Sequence, residues 1–252
     1  MSGKLYLVPN TLDFGTPEPA PDISDVLPAG VIRIAARLTH WVVENAKTTR
    51  AFLKRVDRVV ALSLPLQELS IVELPRAQKG RGPATPPDLS ALLVAARSGH
   101  DIGLLSEAGL PAVADPGAAL VLAAHTAAIE VVALPGPSSM LLALAASGLH
   151  GQSFSFVGYL AIDAQARSAQ IRELEAASRR LVQTQLMIET PYRNPALLAA
   201  LLANLQPGTR LSVSCGLTLA GGFTRADTVA SWRARPADLP ANIPAVFSFL
   251  AA

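Results

Sequence analysis

Residues suited to holding a ligand with main-chain groups are concentrated in two loops near the middle of the chain. Residues 106–117 read SEAGLPAVADPG, and residues 135–139 read PGPSS. Their glycines allow the backbone to approach a ligand closely, and their prolines stiffen the loops and remove competing N–H donors. The composition suits a nucleotide-like ligand held largely by main chain, and it suits ordinary strand-to-helix turns equally well.

Both loops carry residues typical of a helix start. Asp115 precedes Pro116 as an N-cap residue precedes proline at the first helical position, and Ser138 and Ser139 could cap the next helix. Helix N-termini present N–H groups that have no partner within the helix. We therefore predict helices that begin at these residues and direct N–H groups towards a ligand.

Histidine and cysteine are not spaced as metal ligands. The four histidines are far apart in the chain, and Cys215 is the single cysteine. The glycine patterns of a phosphate-binding P-loop, of a dinucleotide-binding fold and of a hydrolase nucleophile turn are also absent from the sequence. These observations argue against a metal site, an ATPase, a dehydrogenase and a hydrolase.

The elements that must position the two loops are short apolar runs at residues 102–105 and 129–134. Each run has the length of a strand, and each loop is followed by a helix-like segment. In this order the strands pair in parallel through right-handed crossovers. Their loops then emerge at the carboxyl edge of the sheet, where α/β proteins bind ligands. The sequence therefore predicts an α/β fold with a site at that edge.

The first part of the chain adds further elements to this sheet. Strands are predicted at residues 4–8, 41–43 and 70–74, one helix is predicted at residues 88–98, and another is predicted at residues 46–58. The basic residues of this helix recur on one face: Lys47, Arg50, Lys54 and Arg58. Such a stripe could bind phosphates, or it could be a solvated helix face. A basic loop at residues 75–87 could contact RNA or be disordered without a role.

The alternation of strands and helices starts again after Gly148, so we predict two domains, residues 1–150 and 151–252. The second half predicts helices at residues 165–181 and 194–205. Strands are predicted at residues 154–159, 185–189 and 210–215, with less regular strands around residues 227–234 and 245–250.

Composition predicts a globular protein of the cytoplasm. The chain has 252 residues, 50% of them hydrophobic, and a net charge of +2, so bulk charge does not mark it as a nucleic-acid binder. A single cysteine fits a reducing compartment. No apolar run approaches the ~20 residues of a membrane span, and the start has no secretory h-region.

The motifs SEAGLPAVADPG and VVALPGPSSMLLALAASGL together resemble the tetrapyrrole methylase superfamily, and specifically its branch of 16S ribosomal RNA cytidine 2′-O-methyltransferases. The resemblance implies two α/β domains with S-adenosylmethionine in the cleft between them, and a homodimer. By this resemblance the cofactor contacts would be Pro9, Ser106, Ala108, Gly109, Leu110, Val113, Ser138, Ser139, Glu189, Thr190, Cys215, Leu217, Pro244 and Ala245.

The acceptor side departs from the family's pattern. The loop after the first strand lacks the family's glycine and reads Asn-Thr-Leu-Asp from Asn10 to Asp13. Relatives carry Glu-Asp-Thr-Arg where this chain has Glu44 and Asn45, and Glu-Ser-Pro-His-Arg where it has Glu189-Thr-Pro-Tyr-Arg. The resemblance implies that small-subunit ribosomal RNA contacts Asn10, Asp13, Lys47, Arg50, Lys54 and Arg193.

A ribose hydroxyl loses a proton when it is methylated, and we expect Glu44 or Glu189 to accept it. Helix capping by Glu44, or an ion pair of Glu189 with Arg193, would explain these residues equally well. The alternatives for the whole chain are a methyltransferase for another RNA or for a small-molecule or tetrapyrrole acceptor, and a catalytically silent module that binds S-adenosylmethionine.

Overall fold

A computed structural model describes residues 2–13, 21–75 and 88–252. The described chain separates into two compact units, residues 2–137 and residues 138–252. The boundary thus lies between Pro137 and Ser138, before the helix that follows the second glycine-rich loop, whereas the sequence pattern placed it at residue 150. The predicted basic loop lies largely outside the described residues.

The described residues of the first unit form eleven elements. Its strands are β1 (Leu5–Val8), β2 (His40–Val43), β3 (Ser70–Glu73), β4 (Ile102–Leu105) and β5 (Val131–Ala133). Its α-helices are α1 (Ile23–Val26), α2 (Ala29–Arg37), α3 (Ala46–Val59), α4 (Val94–Arg97) and α5 (Ala118–Thr126), and a 3-10 helix at Ser90–Leu93 precedes α4. The helix predicted at residues 88–98 is therefore a 3-10 turn followed by one short α-helix.

The strands of the first unit form a parallel sheet in the order β3-β2-β4-β1-β5. Alternate residues face opposite layers, so Tyr6 and Val8 pack against α1 to α3 while Leu5 packs against α4 and α5. Both faces of β1, β2 and β4 are covered, which is why these strands are almost entirely apolar. Gly103 on β4 makes room for Trp41, because a Cβ there would lie 2.7 Å from the indole ring.

The second unit contains strands β6 (Phe154–Phe156), β7 (Thr184–Ile188), β8 (Arg210–Cys215), β9 (Phe223–Thr228) and β10 (Ala245–Leu250). Its α-helices are α6 (Ser139–Ser147), α7 (Ala164–Leu181), α8 (Asn194–Asn204) and α9 (Val229–Ala234), and a 3-10 turn at Pro191–Arg193 precedes α8. The prediction of a strand around residues 227–234 is wrong from Val229 onwards. Thr228 ends β9 and caps α9 by accepting from Ser231 N, so the chain turns into a helix there.

The sheet of the second unit is mixed, in the order β6-β7-β10-β8-β9. β6 and β7 are parallel, whereas β10 runs antiparallel to both β7 and β8. Met187, Val213 and Phe247 are fully buried on the face that packs against α7, α8 and α9. Because β10 is antiparallel, its first residues meet the last residues of β7 and β8 at one edge of this sheet.

Candidate functional site

Asn10 ties together the loops that follow β1 and β4 at the carboxyl edge of the first sheet. Its backbone N–H donates to Gly109 O (2.9 Å), and its side-chain Nδ2 donates to Ser106 O (3.1 Å) and Glu107 O (3.0 Å). The side chain is buried. Asn10, which the sequence assigned to substrate binding, therefore positions the predicted cofactor loop through its own hydrogen bonds.

The loop at residues 106–117 has an unusual backbone. Gly109, Ala112, Ala114 and Gly117 all have positive φ angles, and for the two alanines these are 66° and 63°. Left-handed conformations cost a residue with a Cβ about 1–2 kcal/mol and often occur at functional sites. The prediction that Asp115 is an N-cap is wrong, because α5 begins at Ala118 with Gly117 as the N-cap residue. The chain turns through these left-handed residues before the helix can start.

The predicted cofactor residues of this loop differ in how far their side chains are exposed. Ala108 and Leu110 are half-buried, and Val113 is exposed. Ser106 is 2% exposed, and its Oγ has no hydrogen-bond partner among residues 2–13, 21–75 and 88–252. A buried hydroxyl without a partner carries a desolvation cost that a bound polar group would remove.

The loop after β5 lies directly against the loop after β1. A Cβ on Gly136 would lie 2.3 Å from Pro9 Cβ, so only glycine allows this approach. Pro9 itself is buried. The sequence predicted that Gly136 lets the backbone approach a ligand closely, whereas the close neighbour of Gly136 in the structure is Pro9.

Three carboxyl groups gather at the same edge. Glu44 Oε2 accepts from Glu107 N (3.0 Å), and Thr48 Oγ1 donates to Glu107 Oε1 (3.2 Å). Burial, together with the negative charges of Glu44 and Glu107, raises the pKa of Asp115 from 3.8 to about 7. Asp115 was assigned only a capping role from the sequence, since nothing in one sequence shows that Glu44 lies beside it. The group can take up or release a proton near neutral pH.

Asp13 is paired with a cation of its own unit. Its carboxylate lies 3.0 Å from Arg55 Nη1, which also donates to Thr11 Oγ1 (3.1 Å). Arg55 Nη2 donates to Pro21 O (2.9 Å). The sequence proposed Asp13 as a substrate contact, but in the structure this buried carboxylate anchors the start of the loop. Arg55, which sequence reasoning did not single out, holds it there.

The basic stripe of α3 lies on an exposed helix face. Asn45 caps α3 by accepting from Lys47 N (2.9 Å) and Thr48 N (3.3 Å). The buried face consists of Thr49, Phe52, Leu53 and Val56. The exposed basic residues are Lys47, Arg50, Lys54 and Arg58. The predicted division of the helix into a basic and an apolar face is thus present.

A polar network occupies the end of β7 in the second unit. Glu189 is buried, and its Oε1 accepts from Thr190 N (2.7 Å) and pairs with Arg193 Nη2 (2.8 Å). Arg193 Nε also donates to Thr190 Oγ1 (3.1 Å). The structure thus contains the Glu189–Arg193 ion pair that the sequence left as an alternative to a role for Glu189 in catalysis.

The remaining predicted cofactor residues of the second unit differ in exposure. Ser138 is the N-cap residue of α6, although its side chain makes no capping hydrogen bond, and Ser139 is the first helical residue. Cys215 is 2% exposed within the core, and burial raises the pKa of its thiol. Leu217 is half-buried, Pro244 is exposed and Ala245 is the buried first residue of β10.

Of these residues, Cys215, Pro244 and Ala245 meet at one edge of the second sheet. Gly216 N donates to Pro244 O (3.0 Å), and Asn194 Nδ2 donates to Ile243 O (3.0 Å). Asn194 is fully buried, and within the described part of the chain its Oδ1 has no hydrogen-bond partner. Sequence reasoning missed Asn194, because asparagine as the first residue of a helix carries no signal beyond capping.

Two features are absent from residues 2–13, 21–75 and 88–252. Within them, no three histidine, cysteine or acidic side chains are grouped so that they could ligate a metal ion. No helix there has both the length and the apolar character that crossing a membrane requires.

Comparison with known proteins associates this geometry with a family of methylases. The model of the family Tetrapyrrole (Corrin/Porphyrin) Methylases matches residues 36–230. A ribosomal RNA small subunit methyltransferase I from Streptococcus pyogenes is 32% identical over 202 residues, which are 80% of this chain and 61% of that protein. One from Vibrio cholerae is 43% identical over 96 residues, 38% of this chain and 32% of that protein. The matches thus span less than two thirds of these relatives.

A solved structure has the same fold. The crystal structure of uroporphyrin-III-C-methyltransferase from Thermus thermophilus matches with a TM-score of 0.52 at 21% identity. The match covers 98% of this chain and 94% of that one. At this identity the likeness establishes the two-domain α/β fold alone. The chemistry has to be argued from the residues of the site.

Proposed function

We propose, from the premise that this chain belongs to the family of tetrapyrrole (corrin/porphyrin) methylases, that it is an S-adenosylmethionine-dependent methyltransferase that acts on ribosomal RNA of the small subunit. The names of its relatives in Streptococcus pyogenes and Vibrio cholerae support the choice of acceptor. The modification proposed is 2′-O-methylation of a ribose.

The observation that carries the proposal is the position of Ser106. Its buried hydroxyl has no partner in the described residues, directly after the central strand β4. Polar groups of an amino acid or nucleoside would satisfy such a hydroxyl, and left-handed residues in the same loop turn the backbone around that point. These features fit the proposed cofactor, which when bound supplies a methyl group activated by a sulfonium.

The proposed cofactor contacts are the residues assigned from the family motifs. In the first unit they are Pro9, Ser106, Ala108, Gly109, Leu110 and Val113. In the second unit they are Ser138, Ser139, Glu189, Thr190, Cys215, Leu217, Pro244 and Ala245. For Cys215 and Ala245, which are buried, a contact through backbone atoms fits better than one through the side chain.

For the proton released by the ribose hydroxyl, the surroundings favour Glu44 over Glu189. Glu189 Oε1 already accepts from Thr190 N and pairs with Arg193, so it has a structural role. Glu44 belongs to a group of carboxylates in which Asp115 has a pKa of about 7. A base that titrates near the working pH combines availability with proton affinity. We therefore assign proton uptake to the Glu44, Glu107 and Asp115 group.

For the RNA itself, the exposed stripe of Lys47, Arg50 and Lys54 on α3 is the proposed phosphate contact. Asn10 and Asp13, whose hydrogen bonds and ion pair lie within the first unit, would then act on the acceptor by holding the loops around it. A homodimer, as the resemblance implies, remains part of the proposal.

The decisive test combines cofactor binding and methyl transfer in one preparation. Calorimetry should detect binding of S-adenosylmethionine, and small ribosomal subunits lacking the modification should accept a labelled methyl group. No binding would overturn the proposal. Binding with transfer to another RNA or to a tetrapyrrole would change the acceptor, and binding without any transfer would indicate a silent module.

Two serine variants test the cofactor site directly. Ser106→Ala should weaken S-adenosylmethionine binding about 3- to 10-fold, since one hydrogen bond contributes ~0.5–1.5 kcal/mol. Ser212→Ala is the matched control, because Ser212 Oγ on β8 is also buried without a partner among the described residues. Equal weakening by both variants would contradict the assignment of Ser106.

A further inference from the structure

Two neighbouring strands of the second unit send their loops to the same side. β6 and β7 are parallel, with Phe154 opposite Thr184 and Phe156 opposite Leu186. The pairing continues past the end of β6, since Val157 N donates to Leu186 O (2.9 Å) and Ile188 N donates to Gly158 O (3.1 Å). Adjacent strands lie ~4.8 Å apart. The residues that follow Gly158 and Ile188 therefore leave one sheet edge side by side.

Each of these loops carries an exposed tyrosine. Tyr159 is 55% exposed and Tyr192 is 69% exposed, whereas Tyr6, the other tyrosine, is buried. An aromatic ring in water forgoes the free energy that burial would provide. Two such rings on neighbouring loops provide flat apolar surfaces on which another molecule can pack.

A fixed guanidinium lies beside one of the rings. Arg193 Cζ is 5.5 Å from the centre of the Tyr192 ring. The guanidinium is held by Glu189 Oε1 (2.8 Å) and Thr190 Oγ1 (3.1 Å), and the Glu189 side chain is only 3% exposed. Arg193 is therefore oriented before any ligand arrives, and its guanidinium lies over one face of the Tyr192 ring.

We propose that Tyr192 and Tyr159, with Arg193 as the positioning residue, form a stacking platform for unpaired bases of a single-stranded RNA. The inference rests on the proposed function and names the part of the RNA that the second unit recognises. Aromatic rings interleaved with cations are the usual means of holding single strands, because every base has a stacking face. Sequence-specific RNA recognition generally targets bases that are unpaired.

The test measures RNA binding by the full chain. The probe is a fluorescein-labelled, 12-nucleotide single-stranded RNA of mixed sequence, followed by anisotropy. Tyr192→Ala should raise its Kd about 5- to 100-fold, since stacking on one base contributes ~1–3 kcal/mol. Tyr192→Phe keeps the ring and should bind within about twofold of the wild type. Tyr159→Ala should show a smaller loss in the same direction.

Phe223→Ala is the matched control. Phe223 is also a partly exposed aromatic residue, at 39%, but it lies on β9, at the other end of the strand order from β6. Its removal should leave the Kd for RNA unchanged. An equal loss in Phe223→Ala and Tyr192→Ala would overturn the platform, as would a wild-type chain that does not bind the probe at all.

Salt dependence separates stacking from phosphate contacts. The slope of log Kd against log salt should be the same in Tyr192→Ala as in the wild type, because no charge is removed. Lys54→Ala should reduce that slope by about 0.7, the value for one phosphate contact on a single strand. A reduced slope in Tyr192→Ala would show that the ring acts through Arg193 on a phosphate, and would overturn stacking.

Failure of the platform and failure of the proposed function have different signatures. A wild type that binds S-adenosylmethionine and methylates small subunits, with Tyr192→Ala binding the probe normally, would retain the function and remove the platform. A wild type without transfer activity, but with probe binding that depends on Tyr192, would retain the platform and remove the proposed function. Uroporphyrin binding that requires Tyr192, with unchanged RNA binding, would assign the rings to a macrocycle and overturn the proposal.

Discussion

Carboxyl groups follow strand ends in both units, and their surroundings differ. In the first unit Asp115 is partly buried near the negative charges of Glu44 and Glu107, and its pKa rises to about 7. In the second unit Glu189 is buried beside a guanidinium, which lies 2.8 Å away. At Asp115 burial and two negative neighbours act in the same direction on the pKa, whereas the buried carboxylate of Glu189 has a cation beside it.

The backbone differs in the same way. The loop at residues 106–117 contains two alanines with positive φ angles, whereas Thr190 and Arg193 of the other segment have ordinary negative φ angles. The first segment thus holds both unfavourable charge and unfavourable backbone conformation. The second is a set of mutually satisfied polar groups. Strain of this kind is common where a protein performs chemistry, and satisfied networks are common where it holds a shape.

The largest expected effect on stability comes from removing Arg193, the cation that pairs with Glu189. Arg193→Ala leaves Glu189 buried without its guanidinium, which should lower the free energy of unfolding by ~2–4 kcal/mol. Urea denaturation at pH 7 measures this change. Lys4→Ala breaks an ion pair in which both side chains are well exposed, so its urea midpoint should hardly move. Similar losses in both variants would show that burial of Glu189 does not matter.

Asp115→Asn should have the next largest effect, which is an increase in the free energy of unfolding above neutral pH. Asp115 in the folded state binds its proton more tightly than in the unfolded state, so its contribution to stability falls as pH rises from 3.8 through about 7. The full shift corresponds to ~4 kcal/mol, and partial exposure reduces the expected gain of the variant at pH 8 to about 2 kcal/mol. Below pH 3.8 the variant and the wild type should be equally stable, because asparagine resembles the protonated acid, and at pH 5 about a third of the difference expected at pH 8 should be present.

Urea denaturation at pH 5 and pH 8 measures this difference. Asp227→Asn serves as the control, because hydrogen bonds from Ser231 and Thr228 lower the pKa of Asp227 and favour its ionised form. That variant should not gain stability at pH 8. A gain of the Asp115→Asn variant at pH 5 as large as at pH 8 would refute the electrostatic explanation.

The smallest effect concerns the backbone of the first loop. Ala114→Gly relieves a positive φ angle of 63° and should raise the free energy of unfolding by about 0.5 kcal/mol after the entropy of glycine is subtracted. Ala119→Gly, on the exposed side of α5, should instead lower it by ~0.5–1 kcal/mol. Thermal denaturation of both variants measures these changes. A lower stability in both variants would mean that Ala114 is not strained.

Much of the fold could be predicted from local pattern. The strand at residues 102–105 has the predicted ends, and the long helices α3 and α7 differ from their predicted bounds by one residue, because apolar periodicity and capping residues mark them. The predictions failed where one short segment contains two different elements of secondary structure. Residues 88–98 read as one helix but form a 3-10 turn and a short α-helix, and residues 227–234 pass from strand to helix at Thr228.

The sequence by itself determined the α/β class, the two glycine-rich loops and the membership of a methylase family, since each depends on residues that are close together in the chain. Only the tertiary structure decided which charges meet. In the folded chain Asp115 lies near Glu44 and Glu107, and Asp13 forms an ion pair with Arg55. The loops that carry Tyr159 and Tyr192 leave the same sheet edge. Parallel pairing joins strand ends that are far apart in sequence, and the electrostatic energy of a pair depends on the resulting distance and burial.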